Sequence, residues 1–195
     1  MNLLKTITLL GLGASLTFAN MQQKNNPEIK EVIQKGHKTT QLLLKTLGSN
    51  MKKQMKSGGP MQALDFCSNE AYTLTEKVNT QLEKGVSVKR ISLKYRNPLN
   101  KPAEDEAKIL HSLESLQKEN VILPKHIIEK VDEHTYKVYK PLVIKKQVCL
   151  KCHGDVTNQK LKKAINERYP EDKAQHYKMG DLRGAVVVTV DTSAK

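Results

Sequence analysis

At 195 residues the chain is long enough for one domain of ordinary size built on a single core. It carries 33 Lys and Arg against 20 Asp and Glu, a net charge of +13. The lysines are spread along the whole sequence, with no Arg-rich block and only 4% aromatic residues, which argues against a nucleic-acid surface and for a solvated basic one; long-range attraction to acidic partners or anionic lipid is the second reading.

Residues 1–19, "MNLLKTITLLGLGASLTFA", hold a single charge, Lys5, then a short apolar run and small residues before Ala19. This pattern reads as a secretory signal cut after Ala19. The run is too short to span a bilayer comfortably. The mature chain is therefore expected in the periplasm, with no stable membrane insertion. Residues 20–26 read as a polar, disordered lead, and 27–195 as one domain.

Asn26-Pro27 opens a helix, with Asn as cap and Pro at the first helical position. Ile29, Val32, Ile33, Leu43, Leu44, Leu47, Met51 and Met55 continue it at helical spacing up to Gly58-Gly59. Pro60 starts a second helix, on which Ala63, Cys67, Ala71, Leu74 and Val78 share one inward face. After Gly85, "VSVKRISLKY" (86–95) alternates as a strand, and Asn97-Pro98 turns the chain. Pro102 opens a third helix carrying Ala107, Leu110, Leu113 and Leu116. Residues 135–144 form another strand, 158–169 a short helix, and "GAVVVTV" (184–190) a strand apolar enough to be central. The pattern is α+β: a helical hairpin followed by an antiparallel sheet.

Between the second strand and the last helix lies "VCLKCHGD", 148–155, with Cys149, Cys152 and His153 in a C-x-x-C-H. Three chemistries use this spacing. A thioredoxin-type dithiol needs a βαβ setting, which is missing here. A structural zinc needs a second Cys/His pair, and Cys67 stands alone. Haem c needs only what is present: two thiols for thioether bonds, and a histidine placed to reach the iron. Three cysteines in an oxidising compartment also leave one that is free, shared or ligated. The second axial position has several candidates on sequence: Cys67, Met179, His176, His37, His111, His126 and His134.

Four blocks carry a resemblance: "MQALDFCSNEA", "VKRISLKYRNPLNKP", "YKVYKPLVIKKQVCLKCHG" and "RYPEDKAQHYKMGDLRGAVVV". In this order and spacing, the chain resembles exported haem c proteins with a PAS-like fold, a domain-of-unknown-function family found alone or as the sensor module of histidine kinases and chemoreceptors. The resemblance implies a PAS-like antiparallel sheet with an N-terminal helical hairpin. It implies one covalent haem c on Cys149 and Cys152, with His153 and Cys67 as axial ligands of the iron. "QHYKMG" departs from the family in offering His176 and Met179 as rival ligands. Arg90, Arg96 and Tyr95 read equally as a solvated strand edge or as neighbours of the haem propionates. A thiolate ligand favours ferric iron and a low potential. The expectation is a non-enzymatic mono-haem cytochrome for redox or gas sensing or electron transfer, with a redox or signalling protein partner. The rival readings are a haem peroxidase-like enzyme and a His/Met electron carrier.

Overall fold

Asn26 caps the first helix through its side chain, which accepts from the Glu28 N–H at 2.9 Å, and Pro27 follows where a missing N–H costs nothing. The computed structural model describes residues 26–194, so the expected signal segment 1–19 and most of the lead lie outside the described residues. Helix α1 spans Pro27–Asn69. Gly58 and Gly59 leave helical geometry within it, Gly59 at φ +68°, and Pro60 restarts the helix. After an irregular Glu70 the returning arm continues as α2, Ala71–Asn79. Lys35 pairs with Glu83 at 3.4 Å, so the end of the return lies beside the start of α1. The hairpin is as expected, with Glu70 dividing its second arm.

The sheet comprises β1 (Val86–Ile91), β2 (Ile127–Lys130), β3 (Thr135–Val143) and β4 (Leu182–Asp191), in the order β1-β4-β3-β2 and antiparallel throughout. The apolar run of β4 is central, as its composition predicts. Its even-numbered valines, Val186, Val188 and Val190, pack with Val32, Leu43, Leu47, Phe66 and Val78 of the hairpin. Its Ala185 and Val187 pack on the opposite face with Leu110 and Leu113 of α3, Glu104–Lys118. A strand covered on both faces has no use for alternation.

The hairpin lies close on the sheet at Gly36. A Cβ built there would stand 2.8 Å from Val138 Cβ, Cγ1 and Cγ2. Gly36→Ala should therefore cost about 1–3 kcal/mol of overpacking, read as a lower midpoint in urea unfolding at unchanged m-value.

Three sequence expectations shift. The strand expected over 86–95 ends at Ile91. Beyond it Ser92 N–H turns to Asn100 O at 3.0 Å and Ser92 Oγ donates to Arg183 O at 2.7 Å, so residues 92–96 leave the ladder. The short edge strand β2 was not foreseen, nor was α4, Gln147–His153, which places the C-x-x-C-H on a helix of its own. The last helix, α5, spans Gln159–Arg168 and is capped by the Asn158 side chain, which accepts from Leu161 N–H at 2.9 Å.

Candidate functional site

Three connections leave the same end of the sheet. Ile91 of β1 stands opposite Ala185, and Val143 of β3 opposite Leu182, so β1 and β3 both finish where β4 begins. Residues 92–96, the C-x-x-C-H helix α4 and the loop 172–181 are thereby brought to one place. The last turns of α1, carrying Cys67, close it from the hairpin side. An Arg168–Asp65 ion pair fastens α5 to those turns.

Arg96 is the centre of the assembly. Its guanidinium pairs with Asp172 through Nε–Oδ1 at 3.1 Å and NH2–Oδ2 at 3.0 Å, with side chains only 8% and 2% exposed. The same group donates to Cys152 O at 2.7 Å and to Ala174 O at 3.1 Å. Asp172 in turn accepts from Ala174 N–H at 2.8 Å and from Gln175 Nε2 at 3.1 Å. One ion pair thus joins the 92–96 segment, the end of α4 and the 172–175 loop, and it supplies the fixed partners that a buried pair requires.

That clasp sets the state of His153. Its Nδ1 lies 3.1 Å from Ala174 O. A carbonyl only accepts, so the proton is on Nδ1 and the lone pair on Nε2 is free. Tyr177 N–H donates to His153 O at 2.9 Å, and the Tyr177 ring meets the imidazole edge-on at 6.2 Å. Burial, with Arg183 and Arg96 nearby, holds the His153 pKa well below its ordinary value. The imidazole is neutral at physiological pH, the state in which it binds a metal.

Cys67, Cys149 and Cys152 are all free thiols and half-buried. Cys149 packs against Ile144, Ala174 and Tyr177; Cys152 packs against the cluster of Leu64, Leu161, Ile165 and Tyr169. Leu64 is one turn before Cys67 on α1, so Cys152 faces the turn that bears Cys67. Burial pushes the Cys67 thiol up, opposed by Arg90 and Arg96; burial likewise pushes up Cys152, opposed by Arg96. Burial outweighs these cations, so both thiols are protonated at physiological pH.

The rival ligands are elsewhere. Met179 is 42% exposed. His176 is exposed, has φ +61° and holds Asp155 Oδ1 at 2.5 Å through Nδ1. His37, His111, His126 and His134 are exposed as well. Tyr95 is buried with Lys173 over its ring, and Arg96 is the clasp just described. Sequence reading missed Asp172, Ala174, Tyr177 and Arg183. Ala174 acts through its carbonyl, for which no side-chain signal exists.

The residues fit a covalently held haem. Two thiols stand one helical turn apart on α4, and the adjoining imidazole presents a free Nε2. A buried arginine nitrogen, Arg90 Nε, has no hydrogen-bond partner. Among the described residues, no three His, Cys, Asp or Glu side chains converge as a purely protein-ligated cation site.

A model of the Tll0287-like family matches residues 18–191 of this sequence. The crystal structure of the cyanobacterial haem-protein Tll0287 superposes with a TM-score of 0.62 at 20% identity, over 87% of this chain and 99% of that one. No curated protein matches the sequence.

Proposed function

The chain belongs to the Tll0287-like family, and from that premise we propose that it is an exported mono-haem c-type cytochrome of low potential, used for redox or gas sensing or for electron transfer. The relative in that family's fold is a haem protein. The observation that carries the reading is the His153 tautomer: Ala174 O holds the Nδ1 proton and leaves Nε2 for iron. In this reading Cys149 and Cys152 would hold the haem through thioether bonds, and His153 and Cys67 would hold its iron. The bound group supplies a one-electron iron couple.

The chain's own residues do the rest. Arg96 and Asp172 fix the end of α4 and the loop that orients His153. The Arg96 hydrogen bond to Ala174 O competes with that of His153, so the imidazole keeps less anionic character than a carboxylate partner would give it. Cys67 reaches the site from α1, the helix that also covers the sheet. With His153 and Cys67 both held by the iron, no position would be left open for a peroxide, which supports a non-enzymatic role over a peroxidase. Export to the periplasm rests on the signal-like first residues; among the described residues, no helix is long and apolar enough to cross a membrane. The spread basic charge supports docking to an acidic redox or signalling protein, not to nucleic acid.

Acid-acetone extraction of the protein purified from a host with a cytochrome c maturation system tests the core of this reading. The pigment should stay with the polypeptide, and the intact mass should equal residues 20–195 plus one haem. Pigment in the organic phase, or a colourless product, overturns it.

A further inference from the structure

Arg90 lies on β1 in line with Val86 and Val88, on the sheet face covered by the hairpin. Its Nε is buried and unpartnered. Its two neighbours of the same charge are different. Arg96 meets the Asp172 carboxylate. Arg183 donates to Ser92 Oγ at 2.7 Å and Lys94 O at 3.2 Å and lies over the Tyr177 ring at 5.3 Å, but it meets no carboxylate among the described residues. Burial lowers the pKa of both Arg90 and Arg183, and Arg183 lowers that of Arg90 further.

A guanidinium does not lose its proton under these conditions, so both charges persist. Arg90 therefore holds a positive charge whose buried Nε has no acceptor, and Arg183 beside it shares no hydrogen bond with a carboxylate among the described residues, an arrangement that favours an anion between them. Cys67 does not compensate them. Its thiol is pushed up by burial, and as an iron ligand its negative charge would go to the metal.

We infer that Arg90, with Arg183 beside it, is a carboxylate-binding site that takes the two propionates of the haem. The inference rests on the haem reading above and adds to it the charge balance of the site. Arg96 is neutralised by Asp172, the ferric porphyrin by the thiolate, and Arg90 and Arg183 by the two propionates. Arg90 is thus a binding residue, whereas Arg96 is a positioning residue.

The test compares wild-type holoprotein with Arg90→Met, Arg90→Gln and Arg90→Lys by redox titration across pH. Arg90→Met and Arg90→Gln should have a lower midpoint potential than wild type, because a buried positive charge that favours ferrous iron is gone. They should also gain a pH-dependent potential between about pH 4 and 6, where a carboxylic acid no longer held by a cation titrates. Arg90→Lys should restore the wild-type profile. Arg90→Gln keeps a polar group of similar reach, so it serves if Arg90→Met does not fold. A potential and pH profile in both uncharged variants equal to wild type would overturn the inference.

Succinate separates the two sources of carboxylate. If propionates fill the site, succinate should leave the melting temperature of the wild-type holoprotein unchanged; a rise that Arg90→Gln abolishes would mean a free carboxylate and overturn the propionate assignment. If the purified wild-type chain carries no haem, the functional reading falls separately. The site is then judged by calorimetry: succinate binding that weakens about tenfold or more in Arg90→Gln supports a carboxylate site, and equal binding overturns it.

Discussion

Replacing Cys67 by serine should convert a thiolate-ligated haem into one without a soft anionic ligand. The near-infrared charge-transfer band and the compressed low-spin g-values of a ferric thiolate should disappear. The midpoint potential should rise by a sizeable part of the roughly 0.8 V that axial ligands span. The thioether bonds should survive, because Cys149 and Cys152 lie on α4 and Cys67 on α1. The direction follows from charge. A thiolate neutralises ferric iron better than ferrous iron, so its loss favours reduction. Met179→Ala and His176→Ala should leave the spectrum unchanged, since Met179 is 42% exposed and His176 holds Asp155. A spectrum indifferent to Cys67→Ser and sensitive to either of the others would make the protein an ordinary His/Met or bis-His cytochrome.

Arg96→Met should be the most destabilising single change at the site, at about 3–5 kcal/mol, because it leaves the Asp172 carboxylate buried without a cation. It also removes the donor from Cys152 O and from Ala174 O, so the end of α4 and the loop behind His153 lose a shared anchor. Urea unfolding should show the loss in full. The double variant Arg96→Met/Asp172→Leu should recover much of it, since an apolar pair leaves no uncompensated charge. A cost below about 1 kcal/mol for Arg96→Met would put the pair in the class of solvated surface bridges, contrary to side chains that are 8% and 2% exposed.

The long elements and the thiol motif were legible in the sequence for local reasons. Asn26-Pro27 fixes where α1 starts, Gly58-Gly59-Pro60 fixes where it breaks, and the unbroken apolar run of β4 marks a strand covered on both faces. Cys149, Cys152 and His153 were legible because their spacing is itself the chemistry. Elements held by distant contacts were not. β2 is four residues long and exists through its pairing with β3. α4 is seven residues long and is tied down by Arg96 and Tyr177. The Arg96–Asp172 pair joins residues 76 apart, and nothing in either neighbourhood announces the other. Arg90 and Arg96 look alike in sequence. Only packing shows that one has four acceptor atoms and the other's Nε has none.

The position of β4 also governs the order in which this chain acquires structure. Of the four strands of this sheet, the one between β1 and β3 is synthesised last, and Thr192 just beyond it donates to Glu28 Oε1 at 3.0 Å, 164 residues away. Until Leu182–Asp191 emerges, β1 has no partner and the hairpin covers half a sheet. Closing so large a loop is entropically expensive and slow, which makes folding of this domain a late event that needs its last strand. The nascent domain therefore stays open while most of it is being made. A chain that stops before Leu182 loses the middle of its sheet, not a frayed end, and leaves β1 and β3 as unpaired edges open to association with other chains.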